Sequence, residues 1–187
     1  MSTNGTEARY VALFRGVNVG GRTRVDMAGL RELARELGLA EVRSHLNSGN
    51  LVFSHDSGDE SALGELLEHG IERRFGINVS CLVREAGYLR EVAAGNPFPE
   101  AAGHGKLLHA SFLSRRLPEE RTTTLDPAGF HPERFRLGDR VIYMYLPDGI
   151  GRSGLAAALS RPAVLGDTVA TTRNWNTVSK LLELVGS

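Results

Sequence analysis

The chain has 187 residues, 41% of them hydrophobic and 24% charged, with 22 basic against 22 acidic residues, 22 glycines, seven prolines and one cysteine. That length holds one domain or two small ones, and an ordinary apolar fraction at zero net charge excludes an intrinsically disordered chain. The charge balance also argues against a sequence-blind nucleic-acid binder, whose affinity rises from a basic excess that releases counterions.

Residues 10–14 form a continuous apolar run left at Arg15-Gly16, the pattern of a strand buried on both faces. Ala28, Leu30, Leu33, Ala34 and Leu37 then recur at helical spacing, with Asp26 as N-cap and Gly38 as the stop. Short strands at 41–46 and 51–54 flank the turn-like Asn47-Ser48-Gly49-Asn50 and predict a hairpin. Leu63, Leu66, Leu67, Ile71 and Phe75 stripe a second helix, and 79–83 reads as a fourth strand. The order β-α-β-β-α-β is that of the split βαβ, or ferredoxin-like, unit.

The second half repeats that order. A helix near 88–94 and a proline-rich joint at 96–99 precede a strand at 107–113 and a short helix at 118–125. A hairpin of 135–137 and 141–146 turns at Gly138-Asp139, followed by a short helix at 154–159 and a short last strand at 169–171. Val178, Leu181, Leu182 and Val185 stripe a terminal helix. The expected fold is therefore α+β: two ferredoxin-like (βαββαβ) halves, antiparallel sheets with helices on one face, plus a C-terminal helix. The expected division is residues 1–95 and 96–187. The halves share element order and no visible residue pattern.

Cys81 stands alone in an apolar alternating run, which excludes an internal disulfide and the multi-cysteine zinc sites and reads as a small buried hydrophobe. The polar N-terminus and the lack of a long apolar stretch predict a cytoplasmic protein with no membrane partner. Arginine supplies all of the basic residues except Lys106 and Lys180, which suits recognition of planar anions. The six histidines show no paired metal spacing, so no metal is expected and no cofactor is implied.

Three polar patches carry what chemistry the sequence offers. The first runs from Arg15 through Gly16, Asn18, Gly20 and Gly21 to Arg22 and Arg24, where glycines let backbone N–H groups approach an anion and arginines supply forked donors. It falls short of a phosphate-binding P-loop, because arginine replaces the required lysine and the helix begins only near Asp26. The second is the Asn47–Asn50 turn, in which Ser48 lacks the setting of a nucleophile. The third surrounds Arg173, Asn174, Trp175 and Asn176 before the last helical stripe. There an asparagine can cap the helix, the helix N-terminus favours an anion, and the single tryptophan can stack on a ring or anchor the helix to the core.

The blocks Arg15-Gly16-Val17-Asn18-Val19-Gly20-Gly21, Ser48-Gly49-Asn50 and Arg173-Asn174-Trp175-Asn176-Thr177-Val178 together resemble those of the domain-of-unknown-function family numbered 1697. The resemblance spans about residues 9–184 and implies a small bacterial α+β protein; it supplies no reaction and no catalytic residue. Val17 and Arg22 differ conservatively from the usual first block.

From the residues themselves, the expectation is that Arg15, Asn18, Gly20, Gly21, Arg22, Ser48, Asn50, Arg173, Asn174, Trp175 and Asn176 line one cleft for an anionic ligand. A small anion, a nucleotide or a short single-stranded nucleic acid fits that chemistry, the last without support from the net charge. Two alternatives stand beside it: an enzyme acting on a small anionic metabolite, and a protein-interaction module that uses the hairpins' edge strands.

Overall fold

The computed structural model describes residues 8–18, 25–46 and 49–186. Two compact units emerge, Met1–Arg90 with Leu181–Ser187 and Glu91–Lys180. The expected division lay between residues 95 and 96; in the structure the terminal helix passes from the second unit into the first.

The first unit runs β1 (Ala8–Arg15), α1 (Met27–Glu36), β2 (Ala40–Ser44), β3 (Asn50–His55), α2 (Glu60–Phe75), β4 (Ser80–Glu85) and the start of α3 (Ala86–Ala94). Its antiparallel sheet has the order β2-β3-β1-β4, so the apolar β1 is central, paired with β3 and β4. Alternation along β1 sends Tyr10, Ala12 and Phe14 to one face. There they form a core with Leu30 and Leu33 of α1, Leu63, Leu67 and Ile71 of α2, and the buried Cys81. Asp26 caps α1 by accepting from the Ala28 and Gly29 N–H groups, and Asp59 caps α2 likewise. Gly64 lets α2 lie against β4, since a Cβ there would stand 2.9 Å from the Cys81 carbonyl oxygen.

The other face of this sheet, with Val11, Leu13, Val52 and Leu82, is also buried. The end of α6 (Trp175–Gly186) belongs to this unit, and Arg9 Nη1 donates to the Leu184 carbonyl at 3.3 Å. Thus β1 is buried on both sides, as its unbroken apolar run requires.

The second unit holds β5 (Leu108–Leu113), β6 (Arg134–Gly138), β7 (Val141–Tyr145), α4 (Gly154–Leu159), α5 (Pro162–Leu165) and β8 (Ala170–Asn174). Its antiparallel sheet has the order β6-β7-β5-β8, the same connectivity as the first. Leu113, Ile142 and Met144 pack with Leu155 and Leu159 of α4 and Val164 of α5.

Four elements depart from expectation. The helix expected at 118–125 is instead a 3₁₀ turn at Glu119–Thr122, followed by another at Pro127–Phe130. The short last strand expected at 169–171 extends through Asn174, so Arg173 and Asn174 close a strand rather than occupy a loop. The helix at Pro162–Leu165 and the 3₁₀ segment Pro99–His104 carry too few turns to show a hydrophobic period.

Candidate functional site

In the first unit the structure brings two of the sequence patches together. Phe14 N–H donates to the Gly49 carbonyl at 2.9 Å, and Leu13 faces Asn50 across the ladder. Gly49 has a φ of +80°, and a Cβ there would meet that of Phe14 at 2.9 Å, so only glycine fits this crossing. Asn50 is 0% exposed; its Nδ2 donates to the His45 carbonyl at 2.9 Å and its own carbonyl accepts from His45 N–H at 3.0 Å. Its carboxamide thus closes the turn from within.

Asn18 performs a similar task. With a φ of 58°, it donates from Nδ2 to the Val25 carbonyl at 2.9 Å and accepts from Val25 N–H through Oδ1 at 2.8 Å. One side chain thereby imitates a strand partner and fixes the distance between residues 18 and 25. Arg15 ends β1 opposite Ser80 of β4 and is exposed, its guanidinium without a hydrogen bond or ion pair among the described residues. Gly16 beside it is exposed at φ +79°, with open space where a side chain would stand. Gly20, Gly21, Arg22 and Ser48 lie outside the described residues.

In the second unit, Arg173 is only 8% exposed; its Nη1 donates to Thr171 Oγ1 at 2.8 Å and to the Thr172 carbonyl at 2.9 Å. Asn174 Oδ1 accepts from Thr177 N–H at 2.9 Å and Thr177 Oγ1 at 3.1 Å, the pattern of an N-cap for α6. Trp175 is 6% exposed, its ring 6.3 Å from that of Tyr143 at a 49° tilt, and its backbone N–H donates to the Gly105 carbonyl at 2.9 Å. Asn176 is exposed and crosses Gly105 so closely that a Cβ there would lie 2.1 Å from Asn176 Oδ1. Asn174 and Trp175 are thus tied to the helix and the interior, while Asn176 reaches solvent.

Two titratable groups stand out beneath these strands. Tyr143 donates to the Val92 carbonyl at 2.9 Å, and burial pushes its pKa up to about 12. His109, on β5 opposite Asn174 and Met144, is 5% exposed with no partner for Nδ1. Burial lowers its pKa, partly offset by a hydrogen bond to the Leu107 backbone. Sequence reasoning singled out neither residue: a histidine in an apolar strand gives no local sign of whether it meets a partner. Among the described residues no group of three or more His, Cys, Asp or Glu is placed to hold a metal ion, and no helix is long and apolar enough to cross a membrane.

The fold and its polar loops define a two-sheet α+β protein with a terminal helix that serves both units. The chain belongs to the family described as Protein of unknown function (DUF1697), which matches residues 8–143. Its structure is similar to that of the conserved bacterial protein SP0830 from Streptococcus pneumoniae, at a TM-score of 0.73 and 23% identity over 95% of this chain and 98% of that one. That likeness establishes a shared fold. No curated protein matches the chain.

Proposed function

We propose that the chain binds an anionic ligand, nucleotide-like or nucleic-acid in chemistry, at the loop that follows β1. The carrying observation is Arg15: an exposed guanidinium without a partner among the described residues, at the end of a rigid buried strand and beside Gly16, where no atom stands near the position of a Cβ. A forked donor on a rigid element is well suited to a planar or tetrahedral anion, and a glycine lets backbone approach it. Asn18 and Asn50 frame the loop by holding the backbone at Val25 and His45. The halves are further read as ferredoxin-like; what supports this is a β-α-β-β-α-β order in the first unit, and in the second the same strand connectivity, with 3₁₀ turns in place of the first helix and the first strand again central in its sheet.

A thermal-shift series with nucleotides, phosphorylated metabolites and short oligonucleotides tests the reading. A ligand at about 100 times its dissociation constant adds roughly 2.7 kcal/mol of stability. Arg15→Ala should weaken binding about tenfold, near 1.4 kcal/mol. An oligonucleotide ligand would bind less tightly as salt rises, with a steep logarithmic slope, whereas a small metabolite would show a shallow one. Absence of any anion-induced shift, or a shift indifferent to Arg15→Ala, overturns the proposal.

A further inference from the structure

A cavity of about 670 Å³ opens beside β6. Its lining includes four consecutive residues of that strand, Arg134, Phe135, Arg136 and Leu137. Successive side chains leave a strand on opposite faces, so a hollow that touches all four runs along the strand's margin and reaches its backbone. β6 is the outermost strand of its sheet, with β7 on one side and no strand on the other among the described residues. The far wall is the 3₁₀ segment that contributes Pro127 and Phe130.

The register identifies the open backbone groups. A two-residue turn, Asp139-Arg140, joins β6 to β7, and such a turn places its flanking pair, Gly138 and Val141, in mutual hydrogen bonding. Alternation then leaves Phe135 and Leu137, opposite Met144 and Ile142, with N–H and C=O turned outward. One of these acceptors is covered by the chain itself, since Arg136 Nη1 donates to the Phe135 carbonyl at 2.9 Å. Arg136 is exposed and has no acidic partner among the described residues. Of the other charged residues lining the hollow, Arg134 pairs with Glu100 at 2.8 Å, Glu133 accepts from Leu155 N–H at 2.9 Å, and Glu119 is exposed on the 3₁₀ segment Glu119–Thr122.

We infer that the margin of β6 docks an extended peptide segment, which adds a fifth strand with an acidic side chain opposite Arg136 and apolar neighbours opposite Phe135 and Leu137. Charge complementarity selects this occupant. A carboxylate is a stronger acceptor for a guanidinium than a neutral carbonyl, so the incoming acid draws Arg136 away from the Phe135 oxygen and frees it for a main-chain bond. The flanking apolar side chains enter the hollow floored by Phe135 and Leu137. Main-chain bonds then supply affinity and alternate side chains supply selectivity. A small apolar molecule would fill the hollow and gain nothing from Arg136. This inference is independent of the anion site after β1.

The test is fluorescence polarisation of the full chain with a short labelled peptide of alternating threonine and valine that carries leucine-glutamate-leucine at its centre. Binding should weaken about tenfold when the central glutamate becomes lysine or when the protein carries Arg136→Glu, and should recover when the two changes are combined. Leu137→Pro removes an outward N–H without touching the ladder to β7, so it should abolish binding in a protein whose thermal unfolding stays cooperative. Hydrogen exchange at Phe135 and Leu137 should slow in the complex. Equal affinity for the glutamate and lysine peptides, no binding at millimolar peptide, or self-association through β6 without peptide binding each overturns the inference.

Discussion

Arg84 on β4 and Arg173 on β8 hold matching places in the two sheets. Arg84 faces Val11 of the central β1, and Arg173 faces Ala110 of the central β5. Both are buried, and each donates from Nη1 to the carbonyl of the residue before it, Val83 at 2.7 Å and Thr172 at 2.9 Å. Arg136 does the same on β6. An outermost strand presents backbone groups that invite pairing with another chain, and in this fold an arginine on the strand occupies one such carbonyl.

Arg84 is also 3.4 Å from Glu60 of α2, whose other oxygen accepts from Glu85 N–H at 2.8 Å. Removing one partner of a buried ionic group leaves the rest uncompensated. Arg84→Ala should therefore cost about 3 kcal/mol in urea unfolding, with part of that loss arising from the missing aliphatic stem. Arg84→Met, which restores the stem without the charge, should fall between the two. An Arg84→Ala protein as stable as the wild type would mean the guanidinium contributes nothing to the first unit.

The approach of α2 to β4 makes Gly64 a sharper test of packing. Alanine is favoured over glycine in a helix by roughly 1 kcal/mol, yet its Cβ would stand 2.9 Å from the Cys81 carbonyl oxygen, a backbone atom that cannot rotate away. Overpacking typically costs about 1–3 kcal/mol, so Gly64→Ala should be destabilising overall. Gly87, with open space around a Cβ, is the matched control, and Gly87→Ala should leave the unfolding midpoint unchanged or raised.

His109 predicts a pH dependence of stability. Its pKa in the fold is lowered, so the unfolded chain takes up a proton more readily as pH falls. Stability from the buried neutral ring is then full above the unfolded value of about 6.5 and declines as pH drops toward the lower folded value, by at most about 1.4 kcal/mol per pH unit. Urea midpoints at pH 7.5 and 5.5 should diverge in the wild type and converge in His109→Gln. Equal divergence in both would assign the effect elsewhere.

Asn174 separates a helix cap from a ligand contact. Because Oδ1 accepts from Thr177 N–H, Asn174→Ala should cost about 1 kcal/mol, and Asn174→Asp should retain most of that stability. Anion binding after β1 should be unchanged in both variants.

Much of the architecture was legible because hydrophobic period and punctuation agree. The run ending at Arg15 proved to be a doubly buried strand, and Asp26 and Gly38 bracket a helix that ends at Glu36. The hairpin around Gly49 followed from its turn residues. The illegible part is polar. Ala170–Asn174 carries threonine, arginine and asparagine on a strand that is partly buried, and no apolar alternation marks it. A guanidinium that satisfies itself on its own backbone is invisible to a hydrophobicity pattern. The same limit applies to the patches: Asn18 and Asn50 have the composition of ligand contacts, while their amides bind main chain. Arg15 alone among the described residues of those first two patches combines exposure with freedom from partners. The correspondence of Arg84 and Arg173 required coordinates, since one lies in an apolar strand and the other in a polar one.

Helix α6 begins in one unit and ends in the other. Its closing turns, from Leu181, are made after all of Glu91–Lys180, so the first unit is completed only once the second has been synthesised.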